Sequence, residues 1–151
     1  MACARGMKMS EIEVRRAQES DVPKIAKIVN TWIDQTDWFP RVYPAQEIQK
    51  MVQENFSKRV IWVSGEPVSG YLSFDPETSK VIGLYCDESG KGGGKALLDQ
   101  AREGRDRVWL TVHEPNTRAQ KFYQREGFEE VSRYDPEPPE TVREIRMEWQ
   151  A

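Results

Sequence analysis

The sequence is short of cysteine, with two, and of histidine, with one. Two cysteines, Cys3 and Cys86, make no disulfide framework, so a reducing cytoplasm is the expected setting. Long apolar runs are missing as well. Nothing approaches the roughly 20 residues that cross a bilayer, and the opening MACARGMKMS holds no apolar core of signal-peptide length. No membrane partner is expected. Residues 1–10 are expected to be a disordered leader or an expression remnant, with Met7 or Met9 as alternative starts. A dominant charge is also absent. The net charge of −3 is small and of the wrong sign for non-specific nucleic-acid binding. No internal repeat and no linker-like stretch divides the chain.

What is present suits one folded domain over residues 11–151. The 151 residues are enough for a real core, and 38% hydrophobic with 31% charged residues is a globular balance. IEVRRA (residues 12–17) alternates as a half-buried strand does. Ser20 and Asp21 offer helix caps, Pro23 suits a first turn, and Ile25, Ile28, Val29, Trp32 and Ile33 then follow at helical spacing. An aromatic connection, QTDWFPRVYP, leads to a second helix opened by Pro44, with Ile48, Met51, Val52 and Phe56 on one face. VIWV and VSGYLSF read as a hairpin around SGEP, and KVIGLYC as the next strand. A helix over residues 95–103, a strand at 107–112, a helix stopped by Gly127 and two closing strands complete the order β-α-α-β-β-β-α-β-α-β-β. The fold class is mixed α/β. An antiparallel meander is followed by a strand–loop–helix–strand unit whose two strands should be parallel.

Between the third strand of the meander and the following helix lies SGKGGGKALL (residues 89–98). Glycine at this density costs backbone entropy, which a site for an anion would justify. The first amides of a helix lack intrahelical partners and carry partial positive charge. Loop glycines let further amides approach phosphate oxygens. Lys91 and Lys95 add cationic reach. The Walker pattern G-x-x-x-x-G-K-[ST] fails, because residue 89 is Ser and residue 96 is Ala. The dinucleotide pattern G-x-G-x-x-G fails, because Lys95 follows Gly90 and Gly92 in register.

Downstream, NTRAQKFYQREGF puts Asn116 and Tyr123 two helical turns apart, on roughly one face, with the small Ala119 between them. Phe122 falls to one side and is expected to serve the core. A strand ending LYC, the turn GKGGGK, an ALL helix, an apolar strand and then N-x-x-A-x-x-F-Y-x-x-x-G-F together resemble the GNAT superfamily of N-acetyltransferases. The likeness in element order runs from about Ile12 to Trp149, and the specific motifs from Leu84 to Phe128. The family turn [RQ]-x-x-G-x-[GA] maps onto residues 89–94, so Ser89 stands where the family has Arg or Gln.

The resemblance implies a splay between the two central parallel strands and acetyl-CoA as co-substrate, with no metal. Ser89, Gly90, Lys91, Gly92, Gly93, Gly94 and Lys95 would hold the pyrophosphate. Leu84, Tyr85 and Cys86 would line the pantetheine cleft, with Asn116 contacting the cofactor. Tyr123 matches the usual general acid, which protonates the departing thiolate. The plainer reading of Tyr123 is a core aromatic. The usual strand carboxylate that acts as base is missing from VIGLYC, and His113 stands at the end of the neighbouring strand as a candidate.

By the same resemblance, the segment after the first helix borders the acceptor. Asp34 and Asp37 are candidates to attract an amine, and Trp32, Trp38, Phe39 and Tyr43 to wall it by cation–π contact. Arg41 is a candidate for a substrate carboxylate, and Tyr71 and Tyr85 are further pocket candidates. The expected activity is acetyl transfer from acetyl-CoA to a primary amine of a small molecule or peptide, by direct attack. The alternatives are a non-catalytic CoA-binding or regulatory domain on the same fold and, behind it, a nucleotide-binding enzyme. Homodimers are compatible with the resemblance, and no segment specifies one.

Overall fold

A computed structural model of the protein describes residues 12–87 and 92–151. The expectation for residues 1–10 lies outside these, as do Ser89, Gly90 and Lys91 at the front of the glycine turn.

The chain opens with β1 (Val14–Arg16). A single 3-10 turn, Glu19–Asp21, runs into α1 (Val22–Gln35). Asp21 stands at the N-cap position of α1, yet its side chain does not cap the helix. Its carboxylate instead accepts the Gln18 N–H at 2.7 Å and takes both Nη atoms of Arg15, at 2.9 and 3.0 Å. The capping role expected of Ser20 and Asp21 is thus replaced by a clamp that ties β1 to the start of α1. Pro23 lies in the first turn, where a missing N–H costs nothing.

Then come α2 (Ala45–Asn55), β2 (Val60–Ser64), β3 (Gly70–Asp75) and β4 (Lys80–Cys86). They are followed by α3 (Gly93–Arg102), β5 (Arg107–His113), α4 (Thr117–Arg125), β6 (Glu129–Tyr134) and β7 (Glu144–Gln150). The element order matches the sequence reading, and boundaries differ by a residue or two. Helix α3 begins at Gly93 rather than Lys95. Gly127, at φ +92°, stops α4 in a conformation that few other residues adopt.

One seven-stranded sheet has the order β1-β2-β3-β4-β5-β7-β6. Neighbours are antiparallel except β4 and β5, which are parallel and joined through α3. The last strand, β7, inserts between β5 and β6, and all six residues of the edge strand β6 are exposed.

Strand alternation divides the interior into two cores, one on each face. Ile61, Val63 and Tyr71 pack with Ile25, Ile28, Val29 and Ile33 of α1, and with Ile48 and Val52 of α2. Leu72, Phe74, Val108, Leu110 and Val112 pack on the other face with Leu97, Leu98 and Ala101 of α3 and with Tyr123 of α4. Phe122 packs partly buried against this core as expected, while Tyr123 is itself one of its buried members. Trp32, expected on the core face of α1, is half-buried at its end.

Candidate functional site

The centre of the sheet is open at one end. β4 and β5 pair at Lys80 with Trp109 and at Val81 with Leu110, and at no later described position. Beyond these, β4 stays on β3 up to Cys86, and β5 stays on β7 up to His113. The facing edges of Ile82–Cys86 and Thr111–His113 therefore diverge with backbone groups free of each other. Unpaired groups of this kind need partners, and a wedge between two parallel strands is where an extended polar chain can supply them.

Alternation along β4 sends its last side chains to opposite sides of this wedge. Leu84 and Cys86 pack toward α3 and α4, and Tyr85 toward α1. Below the wedge on the α3–α4 side lies Tyr123. Burial raises its pKa far above the ordinary phenol value, with Tyr85 and Cys86 adding to the effect. Its ring is held edge-on by Phe122 at 5.2 Å and Phe128 at 5.6 Å. No hydrogen bond joins its hydroxyl to a described residue. A buried hydroxyl without a partner costs roughly 1–3 kcal/mol, so a ligand group reaching it would gain. Burial also pushes the Cys86 thiol up to about 11, so this cysteine stays protonated and is no nucleophile at neutral pH.

Gly92 sits at the entrance of α3 at φ +85°, the left-handed region that glycine tolerates. The first amides of α3 begin there, beside Gly93 and Gly94. A Cβ on Gly93 would lie 3.6 Å from both Cys86 Sγ and Ser64 Oγ, so this helix start rests directly on the ends of β2 and β4. Lys95 is less available than the sequence implied. Its Nζ lies 3.3 Å from Asp99 and 3.3 Å from Glu126, and hydrogen bonds to both raise its pKa. Asn116 caps α4, its Oδ1 accepting the Ala119 N–H at 3.1 Å. The expectations for Ser89, Gly90 and Lys91 fall outside the described residues.

On the α1 side of the wedge the aromatics converge on one imidazole. His113 ends β5, with ring centroids 4.9 Å from Phe39, 5.7 Å from Trp38 and 6.3 Å from Trp32. Trp32 also meets Tyr85 at 5.4 Å, and Tyr85 stacks on Tyr71 at 5.7 Å. Burial lowers the pKa of His113, while the carboxylate of Glu144 works against it. Burial raises Tyr85 to about 12, with Glu140 adding to the shift. Burial raises Tyr71 well above its ordinary value too.

The sequence reading grouped Trp32, Trp38, Phe39 and Tyr43 as an acceptor wall and named His113 apart from them. What it missed is that His113 joins Trp32, Trp38 and Phe39 in one cluster, because the connection after α1 lies over the end of β5. It also missed Ser64, a buried polar residue under the α3 start, and Glu140 and Glu144, whose charges act on Tyr85 and His113. Asp34 and Arg41, offered as substrate contacts, bind each other at 2.9 Å. Arg41 also donates to Asn30 Oδ1 at 2.9 Å and to the Tyr43 carbonyl at 3.0 Å, so it braces the α1–α2 connection. Asp37 is exposed beside Trp38. Among the described residues no cluster of His, Cys, Asp and Glu could hold a metal, and no helix is long and apolar enough to cross a membrane.

These features meet in the family comparison. The model of the acetyltransferase (GNAT) family matches residues 25–128, and the chain belongs to that family. No curated protein matches the chain in sequence. Among solved structures, the apo form of YjaB from Escherichia coli is 21% identical, with a TM-score of 0.75 over 91% of this chain and 97% of that one. The putative acetyltransferase YncA from Salmonella typhimurium, solved with acetyl-CoA, is 22% identical, with a TM-score of 0.68 over 93% and 94%. A ribosomal-protein-alanine N-acetyltransferase from Brucella melitensis is 19% identical, with a TM-score of 0.69 over 92% and 99%. At these identities the likeness is one of fold.

Proposed function

We propose that the protein transfers an acetyl group from acetyl-CoA to a primary amine. The observation that carries this reading is the wedge between β4 and β5, with buried Tyr123, whose hydroxyl has no partner among the described residues, on one side and a half-buried aromatic cluster on the other. A wedge open to both faces lets a thioester enter from the α3–α4 side and an acceptor from the α1 side.

When bound, acetyl-CoA supplies an activated acetyl thioester. The chain's own groups do the rest. Amides at Gly92, Gly93 and Gly94 hold the pyrophosphate by charge and approach. Backbone groups of Leu84–Cys86 bind the extended arm, and one N–H there polarises the acetyl carbonyl. Asn116 fixes the start of α4 and so the position of Tyr123.

Tyr123 keeps its proton at every working pH because burial disfavours the phenolate. The same dry surroundings disfavour a thiolate. The Tyr123 hydroxyl passes its proton to the leaving sulfur, and its oxygen takes back the proton that the acceptor nitrogen sheds as the amide bond forms, so no charge is left buried.

The acceptor lies among Trp32, Trp38, Phe39, Tyr71 and Tyr85, with the carboxylate of Asp37 at the mouth. Half-buried rings suit an amine carried on an apolar body. The same fold serves a ribosomal-protein-alanine N-acetyltransferase, yet the brace of Asp34 and Arg41 keeps this connection folded over the site, which favours a small acceptor.

The test is thiol release from acetyl-CoA with a panel of primary amines, by wild type and Tyr123→Phe. Amine-dependent release that falls in the variant, with CoA affinity kept, supports an enzyme. CoA binding without release under any amine supports the non-catalytic alternative.

A further inference from the structure

The acetyl-transfer reading leaves one task unassigned. An alkylammonium has a pKa near 10 and must lose a proton before its nitrogen can attack. The strand that faces the acceptor side, β4, offers no carboxylate along Val81–Cys86.

The chain has one histidine, and its place is specific. His113 is the last residue of β5, at the open end of the wedge. In β5, Val108, Leu110 and Val112 are buried toward α3 and α4, so alternation directs His113 to the opposite side, where the aromatic cluster lies. Three rings surround its imidazole at 4.9, 5.7 and 6.3 Å. The ring is only half-buried, so part of it faces the space in which an acceptor would sit.

Resting on the acetyl-transfer reading, we propose that His113 is the group that takes the proton from the acceptor ammonium. One N–H bond of the ammonium breaks and its electron pair stays on the amine nitrogen. A new N–H bond forms on the unprotonated imidazole nitrogen, and the imidazolium returns its proton to water. No other reactant is needed.

The electrostatics fit this direction of transfer. The elements around the ring carry Glu144 on β7, Tyr85 on β4, Asp34, Asp37 and Arg41 in α1 and the connection after it, and Glu140 and Arg143 between β6 and β7. Of these, Glu144 acts on the imidazole and favours its protonated form, while burial acts more strongly the other way. The ring is therefore neutral at pH 7 and able to accept. Glu144, opposite His113 in the β5–β7 register, then steadies the imidazolium that forms. An ammonium drawn among half-buried rings loses water and becomes more acidic.

Because the histidine is single, its ring gives one NMR titration without assignment. The midpoint in the free protein is expected below the usual value of about 6.5. The kcat/KM of wild type for an amine that binds as the ammonium should rise with pH through that same midpoint. His113→Gln should bind acetyl-CoA as wild type does by calorimetry, lose about 10²-fold in kcat/KM and lose that acidic limb. Added imidazole should restore rate to His113→Ala. An active wild type without a limb at the NMR midpoint overturns the proposal and needs no variant. A His113→Gln protein that keeps rate and limb also overturns it. If wild type binds acetyl-CoA but acetylates no amine, the acetyl-transfer reading falls first and takes the proposal with it.

Discussion

Val81 pairs with Leu110, and beyond this pair β4 and β5 part company. Below it, both strands belong to a continuous sheet whose faces are sealed by two cores. Above it, each strand keeps only its outer neighbour. The site follows from that separation, because it frees two backbone edges between buried Tyr123 on one face and the ring cluster on the other. The predictions below test the parts in turn.

The α3 entrance should respond to charge rather than to shape. Gly92 is at φ +85°, which Asn and Asp tolerate better than other residues. Both are also favoured at a helix N-cap. Gly92→Asp and Gly92→Asn should therefore fold alike. The carboxylate should repel a pyrophosphate where the amide does not, so Gly92→Asp should weaken CoA at least about tenfold more than Gly92→Asn. Calorimetric titration of both variants checks this. Equal affinities would place the phosphates elsewhere.

Tyr123 should separate activity from stability. Tyr123→Phe removes a buried hydroxyl that has no described partner, so urea midpoints should match wild type or rise slightly. CoA affinity should change little. The loss of a general acid should cost about 10²-fold in kcat. Urea denaturation and thiol-release kinetics on one preparation make the comparison. A large loss of stability would instead assign Tyr123 to packing alone.

The two helices on that face are locked by an ion pair. Arg102 Nη2 meets Glu126 Oε1 at 2.8 Å, and Arg102 Nη1 donates to the Glu126 carbonyl at 2.7 Å. Both side chains are nearly buried, at 10% and 13% exposure, so this pair escapes the screening that weakens surface pairs. The guanidinium also lies over Trp149 at 5.2 Å. Arg102→Ala should cost about 1–2 kcal/mol, because it leaves the nearly buried Glu126 carboxylate with Lys95 alone. The Arg102→Ala, Glu126→Ala double variant should lose less than the sum of the singles. Chemical denaturation of the three variants measures both effects.

The clamp at the start of α1 makes a small pH-dependent contribution. A hydrogen bond from Arg15 lowers the Asp21 pKa, with the Gln18 N–H adding to it and burial opposing. A depressed folded-state pKa stabilises above the unfolded value, and that gain fades as pH falls through the folded value. The loss should therefore occur below about pH 4. Arg15 is 40% exposed, so the contribution should not exceed about 1 kcal/mol. Arg15→Met should flatten the stability profile between about pH 5 and pH 2 while leaving its shape above pH 6 unchanged.

The local signals in the sequence were enough for the element order, because each helix and strand carried its own periodicity and its own stop. Gly127 ended α4 and Gly93 opened α3 within two residues of expectation. Asn116 is legible in the sequence only as a cofactor contact implied by the resemblance, and the cap it makes to Ala119 comes from the structure. Long-range pairings were out of reach. Nothing local to Lys95 announces Glu126, 31 residues on, and nothing in Asp34 announces Arg41 as its partner rather than an amine. Phe122 and Tyr123 are neighbours on one helix, and which of them points inward depends on how α4 rolls against β5. The aromatic cluster shares that dependence, since its rings come from α1, the connection after it, β4 and β5.

The central claim is that the wedge and the α3 entrance together hold acetyl-CoA. The most direct measurement is calorimetric titration of the wild-type protein with acetyl-CoA, and with ATP under the same conditions. Saturable binding of acetyl-CoA at micromolar concentration, with ATP much weaker, is the result expected if the opened strands recognise the pantetheine arm as well as the phosphates. Equal binding of both would reduce the site to a phosphate cradle, and no binding of acetyl-CoA would contradict the account.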